Sequence, residues 1–81
     1  MNLKETVRMM ESDDYKERFR AEYKQLHIRI TKLDAMLYKL QKGILEFTPK
    51  CTYDLLHEQL IYMKAYREVL RQRAKIEEIE V

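Results

Sequence analysis

The sequence predicts an all-α protein, in which a short N-terminal helix precedes an antiparallel hairpin of two long helices. Its 81 residues include one glycine and one proline, whereas turns and loops use both residues often. Apolar residues also recur at alternating gaps of four and three along most of the chain, as they do in helices packed side by side. We expect a single helical-hairpin domain, residues 1–81.

The first predicted helix spans residues 3–11 and is short and amphipathic. Its apolar side holds Leu3, Val7 and Met10. A polar turn then ends this helix. Asp14 would cap the next helix, because its carboxylate accepts backbone N–H groups, and Glu17 three residues later would complete a capping box.

The second predicted helix, residues 15–42, carries the strongest pattern in the chain. Its apolar residues follow gaps of four and three without interruption, which is typical of coiled-coil packing. They are Phe19, Tyr23, Leu26, Ile30, Leu33, Leu37, Leu40 and Ile44. Gly43 suits the left-handed conformation that commonly ends a helix, so we expect the helix to stop there.

The third predicted helix, residues 52–78, follows a connection at residues 43–51 that contains Pro49. One apolar stripe of this helix holds Tyr53, Leu56, Leu60, Met63, Leu70 and Ala74. A second stripe beside it holds Leu55, Tyr62, Tyr66, Val69 and Ile76, with Gln59 and Arg73 in between. One facing helix cannot cover both stripes, so this helix is apolar over a wider arc than a hairpin needs.

The two facing stripes predict the core. Its expected members are Phe19, Tyr23, Leu26, Ile30, Leu33, Leu37, Leu40, Leu56, Leu60, Met63 and Leu70. The surplus stripe predicts an interface, since tyrosine and arginine are enriched where proteins meet. This expected interface comprises Leu55, Tyr62, Tyr66, Val69, Arg73 and Ile76, unless the first helix covers it.

Self-association is expected on grounds of size. A core in a chain this short is marginal, and small domains usually add a disulfide, a metal or a second subunit. Cys51 is the one cysteine, which excludes an intrachain disulfide, and His27 has no partner ligand one helical turn away. We therefore expect a homo-oligomeric helical bundle without a metal.

Nothing in the sequence indicates catalysis. It contains no glycine-rich phosphate loop, no paired metal-binding histidines and no nucleophile elbow. We expect a non-enzymatic protein without a cofactor. No apolar run approaches the roughly 18 residues that cross a bilayer, and a free thiol suits a reducing compartment, so we also expect a cytoplasmic protein without a membrane partner.

Basic residues concentrate on the second helix. Residues 16–42 contain eight basic and three acidic side chains, and hence a net charge of +5. Arginine binds phosphate through two N–H groups, and tyrosine stacks on bases. We therefore identify Tyr15, Arg18, Arg29 and Lys32 as candidate ligand-binding residues. The alternative is a solvated helical face whose tyrosines belong to the core.

Several segments together resemble a known family. They are residues 14–26 (DYKERFRAEYKQL), Arg29, Lys32 with Leu33, residues 47–51 (FTPKC), Arg73 with Ala74, and residues 76–81 (IEEIEV). The chain resembles small accessory proteins of phages and prophages, common in phages of gut bacteria and including relatives of crAss-like phages. Thr52 departs from that pattern, in which proline would follow the cysteine. The resemblance implies a phage accessory protein in the cytoplasm of an infected bacterium, and no particular biochemical activity.

Three functions fit these observations. The first is an oligomeric sponge that counteracts host defence by sequestering an anionic immune signal, either a cyclic nucleotide or an ADP-ribose-type molecule. The second is an inhibitor or adaptor that binds a host protein through the exposed helical stripe. Nucleic-acid binding ranks last, because acidic residues interrupt the basic face and the isoelectric point of 8.7 lies below the value typical of such domains.

Overall fold

The fold is all-α, as the sequence predicts. The computed structural model describes residues 2–81. A 3-10 turn, Leu3–Thr6, leads into a one-turn helix α1, Val7–Met10, and two long helices follow: α2, Tyr15–Lys42, and α3, Tyr53–Ile76. The two long helices pack together, and the antiparallel hairpin is confirmed, since Tyr15 near the start of α2 meets Glu77 just beyond the end of α3.

The N-terminal segment differs from the amphipathic helix expected over residues 3–11. Val7 and Met10 are exposed, and the residue buried against α2 is Thr6. A 3-10 turn has three residues per turn, so Thr6 lies directly above Leu3. Met10 touches α2 only at its edge, where its sulfur accepts from Gln25 Nε2 at 2.7 Å. The Thr6 hydroxyl donates to the Leu3 carbonyl at 2.6 Å and accepts from Gln25 Nε2 at 2.7 Å, which fixes this segment on α2.

Helix α2 starts and ends at the predicted residues. The Asp14 carboxylate accepts the backbone N–H of Lys16 at 3.0 Å. The expected capping box is absent from this turn, because Glu17 instead accepts the hydroxyl of Ser12 at 3.0 Å. Gly43 ends the helix with a φ of 72°, a conformation that glycine adopts without steric strain.

Helix α3 is shorter than the range expected from the sequence. Thr52 lies outside it as the cap, with its hydroxyl accepting the N–H of Leu55 at 3.2 Å. At the other end Glu78 takes a left-handed φ of 56°, and the N–H of Ile79 bonds the carbonyl of Ala74 at 2.8 Å. This Schellman-type turn folds Ile79 back into the core, where 5% of its surface remains exposed.

A single layer of side chains between α2 and α3 forms the core. All eleven expected core residues are either buried there or packed against it, and Tyr53, Ala74 and Ile79 join them. The molecule measures 43 × 24 × 16 Å, and its radius of gyration is 14.9 Å. A compact domain of this length would have a radius of gyration of about 12 Å, so the chain alone is a thin, elongated slab.

Leu70 tests the contribution of this core. Its side chain is fully buried, so we expect Leu70→Ala to lower the free energy of unfolding by about 2–5 kcal/mol. The measurement is urea denaturation followed by circular dichroism at fixed protein concentration. Ile61→Ala on the exposed side of α3 is the matched control and should change stability by less than about 1 kcal/mol. Equal losses in the two variants would contradict the assigned core.

Glu78 tests the turn after α3. A side chain in the left-handed region is strained by about 1–2 kcal/mol, and a carboxylate at a helix C-terminus is unfavourable. Glycine also makes the unfolded chain more flexible, which offsets part of the gain from relieving this strain. We therefore expect Glu78→Gly to raise the free energy of unfolding by about 1 kcal/mol. Glu80→Gly, two residues later, should give no gain in the same thermal melts. A Glu78→Gly variant with a lower Tm than the parent would contradict the backbone strain assigned to Glu78.

Candidate functional site

One polar network joins the start of α2 to the end of α3. The hydroxyl of Tyr15 donates to the carboxylate of Glu77 and accepts from Arg73 Nη2 at 3.0 Å. Arg73 also pairs with Glu77 at 3.3 Å and stacks over the ring of Phe19 at 5.0 Å. The hydrogen bond to Glu77 raises the pKa of Tyr15, because a neighbouring carboxylate opposes formation of the phenolate.

Arg18 belongs to the turn that precedes α2. Its Nη1 donates to the carbonyl of Ser12 at 2.7 Å, which secures the chain between α1 and α2. Tyr15 and Arg18, two of the four candidate ligand-binding residues, therefore already bond other groups of the chain. An anion at this end of the hairpin would have to compete with those bonds.

The other two candidate residues, Arg29 and Lys32, line a cleft of about 310 Å³ beside the first segment. We call it the cationic cleft. It lies among the N-terminal turn, α2 and α3, and its remaining lining residues are Leu3, Leu33, Met36, Gln59 and Met63. Two positive charges thus stand over largely apolar walls.

The four candidate residues do not form one site within a single chain. Arg29 lies 14 residues after Tyr15, and Lys32 lies 14 residues after Arg18, which corresponds to about 21 Å along α2 for each pair. The structure brings Arg29 and Lys32 together in the cleft, and Tyr15 and Arg18 stand near the other end of the hairpin.

Arg29 differs from the other arginines of the long helices in having no partner. The guanidinium groups of the other five bond side chains or carbonyls of the chain: Arg18, Arg20, Arg67, Arg71 and Arg73. Across residues 2–81, neither Arg29 nor Lys32 makes an ion pair or a side-chain hydrogen bond. Their charges are free to meet a ligand.

The expected interface residues lie on the exposed side of α3. The most exposed are Tyr62 and Ile76, at 66% and 82%. A shallow groove of about 560 Å³ runs along this side, lined by Leu55, Glu58, Gln59, Tyr62, Met63 and Tyr66. Because Gln59 and Met63 line both this groove and the cationic cleft, the two features are adjacent.

Two of the expected interface residues also bond α2, which the sequence analysis did not anticipate. Tyr66 donates its hydroxyl to Glu22, and Arg73 reaches Tyr15. On the other edge of the hairpin, Arg71 donates to the Tyr23 hydroxyl at 3.2 Å. Aligning the α2 sequence with the reversed α3 sequence would have suggested these contacts. Each one joins complementary polar groups at the same level of the two antiparallel helices.

The structure gives no indication of a metal site or a membrane span. No group of three or more histidine, cysteine or acidic side chains among residues 2–81 is arranged to hold a metal ion. In the same described part of the chain, no helix combines the length and apolar character that crossing a membrane requires.

The helical hairpin and its cationic cleft define a small α-helical protein with features suited to binding. A family model described as Sequestin matches residues 13–76. The chain therefore belongs to the Sequestin family, a name that implies a sequestering protein. The match covers the whole hairpin, and membership indicates a binding protein rather than a catalyst. No curated protein and no solved structure matches the chain.

Tyr15 provides a pH-dependent test of the network at the end of the hairpin. Because its pKa is raised, its phenolate should form above the usual pH of about 10. Stability from this contact is present below that pH and is lost as the pH rises through the folded-state pKa. Phenolate formation is followed by absorbance at 295 nm as the pH is raised. Subtracting the titration curve of Tyr15→Phe from that of the parent gives the titration of Tyr15 alone. Glu77→Gln should lower the pKa of Tyr15, and an unchanged difference curve would contradict the assigned hydrogen bond.

Proposed function

We propose that this protein sequesters an anionic nucleotide signal by binding it, without chemical conversion, in the cationic cleft. The proposed ligand is a cyclic nucleotide or an ADP-ribose-type signal of host defence, and the proposed setting is a phage accessory protein that acts as an oligomer. The observation that carries this proposal is the pair of unpartnered cations, Arg29 and Lys32, over an apolar cleft.

The two cations suit a phosphate group. Arginine offers a planar fork of N–H donors that matches phosphate oxygens, and lysine adds a mobile point charge. Arg29 and Lys32 lie three residues apart, so they project from neighbouring positions on one face of α2. Since both are exposed and unpaired, a phosphate would displace water and no existing protein contact.

The apolar walls suit the remainder of such a ligand. Leu33, Met36 and Met63 offer a surface on which a base or ribose would pack, and methionine adapts its shape to irregular ligands. A volume of about 310 Å³ lies at the small end of the range for ligand sites. One chain would therefore hold only part of a dinucleotide, which supports a site shared between subunits.

Membership of the Sequestin family supports sequestration as the general activity. The resemblance to phage accessory proteins supports the anti-defence setting, since a phage gains from removing a signal that activates host immunity. Neither line of support identifies the signal itself.

A thermal-shift panel tests the proposal. The purified chain is melted with cyclic dinucleotides, ADP-ribose and cyclic ADP-ribose, and adenosine serves as the uncharged comparison. A ligand present at 100 times its Kd adds about 2.7 kcal/mol to the native state, which should raise Tm by about 10–20 °C. An unchanged Tm across the panel would contradict sequestration of this class of signal.

Single substitutions then locate the site. Arg29→Ala or Lys32→Ala should weaken binding by about 10- to 100-fold in calorimetric titrations, because each removes a charged hydrogen bond. Lys39→Ala is the matched control, since Lys39 follows Lys32 by one heptad on the same helix and lies outside the cleft. Equal affinity of the Arg29→Ala, Lys32→Ala and control variants would place the site elsewhere.

The exposed stripe on α3 favours a second candidate function, binding of a host protein. Its side chains are large, apolar and aligned, as in helices that dock into a groove. In vivo crosslinking from Tyr62 replaced by a photoreactive residue tests this function. Adducts to one host protein would support it, whereas adducts only to the chain itself would count against it.

A further inference from the structure

A second coiled-coil pattern lies on the exposed side of α3. We call it the α3 seam, and it comprises Leu55, Gln59, Tyr62, Tyr66, Val69, Arg73 and Ile76. Successive members are separated by alternating gaps of four and three residues, which is the spacing of positions that face a partner helix. Its five apolar or aromatic members are each at least 45% exposed.

No helix of the described chain packs over the α3 seam, although Tyr66 and Arg73 bond α2 at its edge. The N-terminal segment packs on α2, where Thr6 meets Gln25. The C-terminal residues turn back toward α2 as well, since the carbonyl of Glu80 accepts from Arg20 at 3.1 Å. The seam extends over 22 residues, or about 33 Å, and so offers a long surface to another helix.

The order of residues along the seam matches its own reverse. If two copies of α3 lie antiparallel with their centre between Ala65 and Tyr66, Leu55 faces Ile76 of the other copy. In the same register Tyr62 faces Val69, while Gln59 lies within one residue of facing Arg73 and Tyr66 lies within one residue of facing its own copy. Each layer pairs an apolar group with an apolar group, or a polar group with a polar group.

Charge favours the antiparallel direction. Residues 53–64 contain two acidic side chains and one lysine, a net charge of −1, whereas residues 65–76 contain four basic side chains and one acidic, a net charge of +3. Antiparallel helices place the acidic half of each against the basic half of the other. Parallel helices would align Arg73 with Arg73, which repels at close range.

We propose that a second copy of this chain docks on the α3 seam in antiparallel orientation, with the two Tyr66 side chains beside the two-fold axis. The resulting four-helix arrangement covers the apolar stripe that a single thin hairpin leaves in water. A two-fold interface uses the same patch on both copies, which is what the reversed order of the seam provides.

This pairing also changes the cationic cleft, a consequence that rests on the proposed function. Gln59 lies on both the seam and the cleft wall, and in the register above Arg73 of the second copy lies within one residue of facing it. The second copy would therefore close one side of the cleft and bring Arg73 near Arg29 and Lys32, where an anion would compete with Tyr15 and Glu77 for its guanidinium. A dinucleotide with two phosphates would then meet charges from both chains.

Cysteine crosslinking of the full chain tests the pairing without any ligand. In a Cys51→Ser background, Ala65→Cys places a thiol beside the proposed axis, where the two copies would lie close enough for a disulfide. Glu58→Cys is the matched control, one heptad earlier on the same face, where the two thiols would be about 22 Å apart.

Mild oxidation and non-reducing electrophoresis distinguish the outcomes. We expect a disulfide-linked dimer from Ala65→Cys and monomer from Glu58→Cys. Dimers from both variants would show that the disulfide forms without a fixed register, which would overturn the proposed pairing. Monomer from both, at a concentration where sedimentation shows self-association, would place the interface elsewhere.

A second variant tests the seam through the equilibrium between monomer and dimer. Val69→Asp places a charge opposite the ring of Tyr62 and should reduce the sedimenting species to monomer, with helicity unchanged in circular dichroism. Ile61→Asp is equally exposed on α3 but lies off the seam, so it should leave the dimer intact. A parent chain that sediments as a monomer would overturn the pairing, and ligand binding measured on that monomer would still decide the proposed function separately.

Discussion

The contact between one stripe of α2 and one stripe of α3 determines most of what this molecule is. Side chains such as Phe19, Leu26, Leu60 and Leu70 meet in a single layer, and no second layer exists in the described chain. Because a helix is about 10 Å across, two helices in contact make a slab that buries one side of each. The rest of α3 is therefore left exposed in the single chain, including the apolar residues of its outer stripe.

Apolar periodicity was sufficient to predict α2, α3 and their shared core, because the spacing of four and three is unbroken in α2 and is interrupted at Arg67 alone in α3. It failed where a hydrogen bond or an unusual backbone angle decides the structure. Thr6 is buried through bonds to Leu3 and Gln25, and Ile79 is buried because Glu78 adopts a positive φ. Neither feature leaves a periodic trace in the sequence.

The candidate site shows a similar division. Charge and residue type select the basic residues of α2 as candidates, but they treat Arg18 and Arg29 alike. The difference between them is whether another part of the chain already occupies the guanidinium group. Arg18 bonds Ser12 in the preceding turn, and Arg29 has no such partner among residues 2–81. That distinction depends on which groups of the folded chain lie beside each guanidinium, and net charge and residue spacing do not contain this information.

The N-terminal segment has a dynamic consequence. It consists of a 3-10 turn and a single turn of α-helix, and its closest polar attachment to α2 is the Gln25 amide. Within these two short elements Thr6 is the one buried side chain. Short elements of this kind open locally at a lower free energy than global unfolding, and their amides exchange with solvent earlier. Leu3 is part of this segment and also forms one wall of the cationic cleft. A molecule could therefore enter or leave the cleft through transient release of residues 3–10, while the hairpin stays folded and its amides stay protected.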